Sequence, residues 1–152
     1  SDKDIWDMQY CKVDFSFIFR DIINYENSSE ILLSCEIEKL KEKLVDLLND
    51  RIAKEFELEF IEPDFMFHFS LKIKKEIYTI NQEDTPKYFT TKPYLEWKIN
   101  LWNDGLTSNY FSTTLDIDDI KALRCYLSLI MGTITTDDKE VIKYMNKGII
   151  TE

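Results

Sequence analysis

The chain has 152 residues, of which 44% are hydrophobic and 14% aromatic, with 3 Gly, 3 Pro and a formal charge of -10. This length suits one domain of roughly 100–200 residues with a substantial core, and the composition is globular and lacks the polar bias of disordered chains. The acidic balance opposes docking on nucleic acid or on anionic lipid, both of which require clustered Lys and Arg, so the expected partner is neutral or basic.

The elements follow from changes of hydrophobic period. Val13, Phe15, Phe17 and Phe19 alternate with Asp14, Ser16 and Ile18, the period of a half-buried strand. After the polar stretch Asn27-Ser28-Ser29-Glu30, the apolar run Ile31-Leu32-Leu33 leads to Ser34, a candidate cap for a helix with Glu36 and Glu38 in its first turn. Ile37, Leu40, Leu44, Leu47 and Leu48 then recur at helical spacing.

Alternation returns with Phe56, Leu58 and Phe60, and again with Phe65, Phe67, Phe69, Leu71 and Ile73. Glu62-Pro63-Asp64 between them carries turn chemistry, so these two strands are read as an antiparallel hairpin. Residues 79–93 read as a long polar loop. Leu95, Trp97, Ile99 and Leu101 alternate with Glu96, Lys98 and Asn100. Asn103-Asp104-Gly105 then turns the chain into a Thr- and Tyr-rich strand from Thr107 to Leu115.

Asp116 or Asp118 can cap a second helix carrying Ile120, Leu123, Leu127 and Ile130, with Gly132 as its stop. Asp137 with Glu140 resembles a capping box for a last short helix ending near Gly148. The order predicts an α+β fold, an antiparallel sheet of about five or six strands covered by two or three helices. It is one domain over 1–152, with its core in about 11–132 and a C-terminal helical extension over 133–152.

Catalytic and metal-binding patterns are missing from this sequence. His68 is the lone histidine and shares the parity of Met66 and Ser70, opposite the core residues, with no nucleophile, base and orienter set around it. Cys11, Cys35 and Cys125 are three cysteines at long spacings, which suits neither a disulfide framework nor a zinc site. Cys125 reads as a small core residue of a helix. Asp116, Asp118 and Asp119 lack the loop of a calcium site and read as helix caps. No glycine-rich phosphate loop occurs. The expectations are therefore no enzyme activity, no cofactor and no metal.

The acidic and aromatic surface is what remains distinctive. Glu55, Glu57, Glu59, Glu62 and Asp64 form a run of five carboxylates without a basic residue, and strand parity places Glu57 and Glu59 on one face. Such a face is either a solvated sheet surface that resists aggregation or a docking surface for a basic partner. Trp97 and Trp102 are five residues apart and project to opposite sides of a regular strand. Trp102 and Tyr94 share the parity of the polar residues, which makes them candidate interface anchors unless the 79–93 loop covers them. Glu57, Glu59, Glu62, Asp64, Tyr94 and Trp102 are thus the candidate partner-binding residues.

Phe60-Ile61-Glu62-Pro63-Asp64-Phe65 after a leucine-rich helix, followed by an aromatic strand and a helix opening after Leu115, resembles the WapI-type immunity proteins over roughly residues 11–132. The resemblance implies a cytoplasmic bacterial protein that binds and occludes a cognate protein toxin, such as a basic nuclease. Nucleic acid and membrane are not expected partners. Two other readings fit the same composition: an accessory domain of a larger assembly, or an enzyme centred on His68.

Overall fold

A computed structural model of the chain describes residues 9–70, 74–77, 87–90 and 94–151. For 74–77, 87–90 and Tyr94 it describes the backbone. The fold is α+β, and every strand pairing is antiparallel. The element order is β1 (Tyr10–Phe19), β2 (Ile23–Leu33), α1 (Ser34–Leu48), β3 (Phe56–Glu59), β4 (Phe65–Ser70), β5 (Lys74–Ile77), β6 (Lys87–Thr90), β7 (Tyr94–Trp102), β8 (Leu106–Leu115), α2 (Ile117–Ile130) and α3 (Lys139–Asn146). A four-stranded sheet has the order β3-β4-β7-β8, while β1-β2 and β5-β6 form separate two-stranded ribbons.

Both expected hairpins of the main sheet are present. Phe56 pairs with Phe69 and Leu58 with Phe67 across β3 and β4, while Leu95 pairs with Leu115 and Ile99 with Phe111 across β7 and β8. The second turn bends where Asp104 and Gly105 take positive φ values of 55° and 128°, conformations that Asp and Gly tolerate best. Leu71 and Ile73, expected to extend β4, lie outside the described residues.

Strand β2 is a correction to the sequence reading, which treated Asn27 to Glu30 as a polar break. Its side chains do alternate between half-buried and exposed, but the inward positions include Asn27 and Ser29, which carry little strand signal. Pairing with β1 supplies what propensity does not. Residues 87–90, read as part of a loop, form β6 against β5. Phe19 is also corrected: it lies at the ribbon tip and is exposed, as are Ile18 and Ile22.

The inner face of the main sheet carries Leu58, Phe65, Phe67, Phe69, Leu95 and Ile99, all buried. Over it pack Ile37, Leu40, Leu44 and Leu47 from α1, and Ile120 and Leu127 from α2. The ribbon β1-β2 covers the rest of that face. Phe15 meets Phe65 edge-on at 4.8 Å, and Phe17 stacks on Phe111 at 4.4 Å. Offset and edge contacts of this kind add to the burial of the rings themselves. Ala122 and Cys125 on another side of α2 form a second small cluster with Val141, Tyr144 and Ile150, which fastens the C-terminal segment. Cys125 is fully buried, as its helical position implied.

Helix ends account for much of the polar bonding. Asp116 accepts the Asp119 N–H at 2.9 Å and Asp119 accepts the Asp116 N–H at 3.1 Å, a reciprocal capping box that occupies both carboxylates. Gly132, at φ 73°, ends α2, and the Thr133 N–H returns to the Ser128 carbonyl at 3.0 Å. The cap of α3 is Asp138 rather than Asp137, accepting the Glu140 N–H at 2.8 Å. In α1 the cap position is Leu33, not Ser34. Glu36 compensates by accepting the Leu33 N–H at 2.9 Å with one oxygen and the Ile61 N–H at 2.8 Å with the other.

Candidate functional site

With α1, α2 and the ribbon all on the inner face of the main sheet, the outer face carries the polar residues of each strand. Register aligns them into rows. Glu57, His68, Glu96 and Thr114 stand side by side across β3, β4, β7 and β8, and the next row is Glu59, Met66, Lys98 and Ser112. Glu57, Glu59, Ser112 and Thr114 are exposed, and His68, Met66, Glu96 and Lys98 are half-buried by their neighbours.

His68 lies between two carboxylates. Its Nε2 is 3.7 Å from Glu55 and its Nδ1 is 3.8 Å from Glu57. Glu55 also accepts the hydroxyl of Ser70 at 3.0 Å. In this chain of contacts the carboxylate bridges serine and histidine, and Ser70 is 0% exposed. A hydrolytic arrangement requires the histidine to contact an accessible nucleophile, so these three residues do not make one. Beside them Glu96 accepts the hydroxyl of Ser112 at 2.6 Å. The Lys98 ammonium sits 4.2 Å from the centroid of the exposed Tyr110 ring, a cation–π contact that draws it toward the ring. Among the described residues, Glu55, Glu57, Glu59 and Glu96 thus outnumber Lys98 on this face.

The six residues singled out in the sequence are not brought together. Glu57 and Glu59 are on the open face. Glu62 is half-buried in the connection after β3. Asp64 is 2% exposed, so it is corrected from a surface carboxylate to an interior one. Burial raises its carboxyl above the ordinary value, partly offset by a hydrogen bond from the Trp102 side chain. Trp102 is exposed at 38%. Its backbone N–H also meets the Tyr25 hydroxyl of the ribbon at 3.4 Å, so it belongs to the junction of sheet and ribbon rather than to the acidic face. The backbone of Tyr94 pairs with Ser70, and its side chain lies outside the described residues.

Sequence reasoning passed over Glu96 as a site residue, although it shares the outward parity of Lys98 and its register neighbour is His68. Charge on a strand facing the same way as the Glu57 and Glu59 pair was the available signal. Among the described residues no group of three or more His, Cys, Asp or Glu side chains is arranged to hold a metal ion. No helix among them is long and apolar enough to cross a membrane.

Trp97, the other tryptophan of β7, belongs to the core. It stacks on Phe67 at 5.2 Å and meets Phe65 edge-on at 5.1 Å, and its indole nitrogen is buried without a hydrogen-bond partner among the described residues. No known protein family matches this chain, nor does any curated protein or solved structure.

Proposed function

We propose that this chain acts by binding, through the outer face of its main sheet, a protein partner that presents a basic surface. The observation that carries the reading is the one-sided construction of the fold. Helices and ribbon occupy one face of the sheet, while the other holds Glu55, Glu57, Glu59 and Glu96 around His68 with Lys98 as the cation. A rigid sheet holds those carboxylates at fixed spacings, which favours a partner whose cations match them and accelerates encounter through long-range attraction. The formal charge of -10 acts in the same direction.

Toxin neutralisation is the specific form this binding takes in our reading. A nuclease toxin holds phosphate with cationic side chains, and an acidic sheet face laid over them occludes substrate. The resemblance of residues 11–132 to the WapI-type immunity proteins supports this form. The test is rescue: cells expressing a toxin domain encoded beside this gene survive when the chain is co-expressed, and the purified pair forms a complex. Survival lost on reversing Glu57, Glu59 and Glu96 to lysine supports the outer face as the contact. Rescue that is indifferent to those reversals rejects it, and absence of any complex rejects the immunity reading.

A further inference from the structure

On the opposite side of the main sheet lies a cavity of 730 Å³ between the start of β1, α1 and the C-terminal half of α2. Its volume falls within the roughly 300–1,000 Å³ of small-molecule sites. The half-buried Trp97 of the sheet contributes aromatic surface above the buried Phe65 and Phe67, and Val13, Leu40 and Leu123 contribute aliphatic surface from the three elements around it. The exposed Tyr126 and Ile130 also line it, so it communicates with solvent through apolar residues. Water in such a space has few hydrogen-bond partners, and displacing it by apolar atoms is favourable.

The charged groups lining the cavity are Lys12, Asp14 and Glu38, all exposed. Their signs are mixed, they stay in solvent, and the chain as a whole repels anions. Cys11, half-buried, also lines it with a thiol whose ionisation burial makes harder, so the wall there is neutral and its sulfur suits an aromatic edge. We infer that this cavity is a binding site for an uncharged, planar aromatic small molecule, held against the half-buried Trp97 and the exposed Tyr126 and by contact with the aliphatic walls. The inference is independent of docking on the outer face.

The test is fluorescence titration of the full chain with 1-aminoanthracene, an uncharged three-ring probe, alongside 9-anthracenecarboxylate, which carries the same rings and a negative charge. The expected result is saturable one-to-one binding of the amine, with the carboxylate bound at least tenfold more weakly. Val13→Phe and Leu123→Phe each add bulk to a different wall, and at least one should weaken the amine tenfold or more while far-ultraviolet circular dichroism stays unchanged. Absence of saturable binding overturns the inference, whatever fills the space instead. So does binding that survives both wall substitutions in folded protein. Equal affinity for the carboxylate overturns the assignment of an uncharged ligand.

Discussion

The carboxylate of Asp64 accepts a hydrogen bond from the side chain of Trp102, joining the turn before β4 to the end of β7. Each residue looked like a surface contact in the sequence, and together they are a structural pair. Burial dominates the shift of Asp64, so its folded pKa lies above the ordinary 3.8. The folded state therefore binds this proton more tightly than the unfolded chain. The stability the group contributes is fully present below the unfolded value and is lost as pH rises through the folded value. Asp64→Asn keeps an acceptor for the indole and removes the buried charge. It should stabilise the protein at pH 7 and change little below pH 3.8, whereas Asp64→Ala, which removes the acceptor and leaves the exposed indole to water, should lack the link between the two elements and be less stable than Asp64→Asn at both pH values. Urea denaturation at both pH values checks the pair of outcomes.

Glu36 replaces the side-chain cap that Leu33 cannot provide, and at the same time it holds Ile61 in the connection between β3 and β4. Glu36→Ala should destabilise the fold by about 1–2 kcal/mol, the sum of a lost cap and a lost charge-assisted bond. Glu36→Gln keeps one accepting oxygen but turns a donating NH2 toward the other N–H, so it should cost less than alanine without restoring the native stability. A larger loss for glutamine than for alanine in thermal unfolding would contradict the role given to Glu36.

The ribbon is fixed to the sheet largely through rings, with Phe17 stacked on Phe111 and Phe15 against Phe65. Phe111 is half-buried at the far strand of the sheet, so Phe111→Ala should cost about 2 kcal/mol. That loss should be concentrated in the ribbon. Amide exchange of β1 and β2 is expected to accelerate while β4 and β7 keep their protection. Uniform acceleration across the whole sheet would show instead that ribbon and sheet open together.

Cys125 is fully buried, and burial, with Glu140 and Asp138 adding to it, raises its thiol pKa. The thiolate is the reactive species. Alkylation with iodoacetamide at pH 8 should leave Cys125 unmodified in native protein and modify it fully in urea, as read by mass spectrometry of digested peptides. Modification in the native state would mean that the α2-α3 cluster opens readily.

The parts of this fold legible in the sequence are those where local pattern and tertiary demand coincide. The aromatic alternation of Phe56 to Phe69 and of Leu95 to Leu101 and the leucines of α1 encode their own burial, and the exposed Asn103-Asp104-Gly105 turn encodes its own reversal of the chain. Strand β2 was hidden because Asn27 and Ser29 occupy its inward positions and rely on β1 for their place. Asp64 was misread because turn chemistry after Pro63 is normally a surface property, while here the carboxylate is buried and bonded by Trp102, a residue distant in sequence. Of the candidate site, parity gave Glu57 and Glu59 directly. Glu55, His68 and Glu96 join them only through register across β3, β4 and β7, which no single segment contains.

The central claim is that the outer sheet face receives a basic partner, and association kinetics address it most directly. Stopped-flow binding to the toxin domain that the rescue test identifies as the partner, at ionic strengths from about 0.02 to 0.5 M, compares the native chain with a triple variant carrying Glu57→Lys, Glu59→Lys and Glu96→Lys. The account predicts that the native association rate falls steeply with salt. It also predicts that the variant associates at least tenfold more slowly at low salt, with its melting temperature nearly unchanged. Equal rates for the two proteins across the salt series, with binding intact, would contradict it.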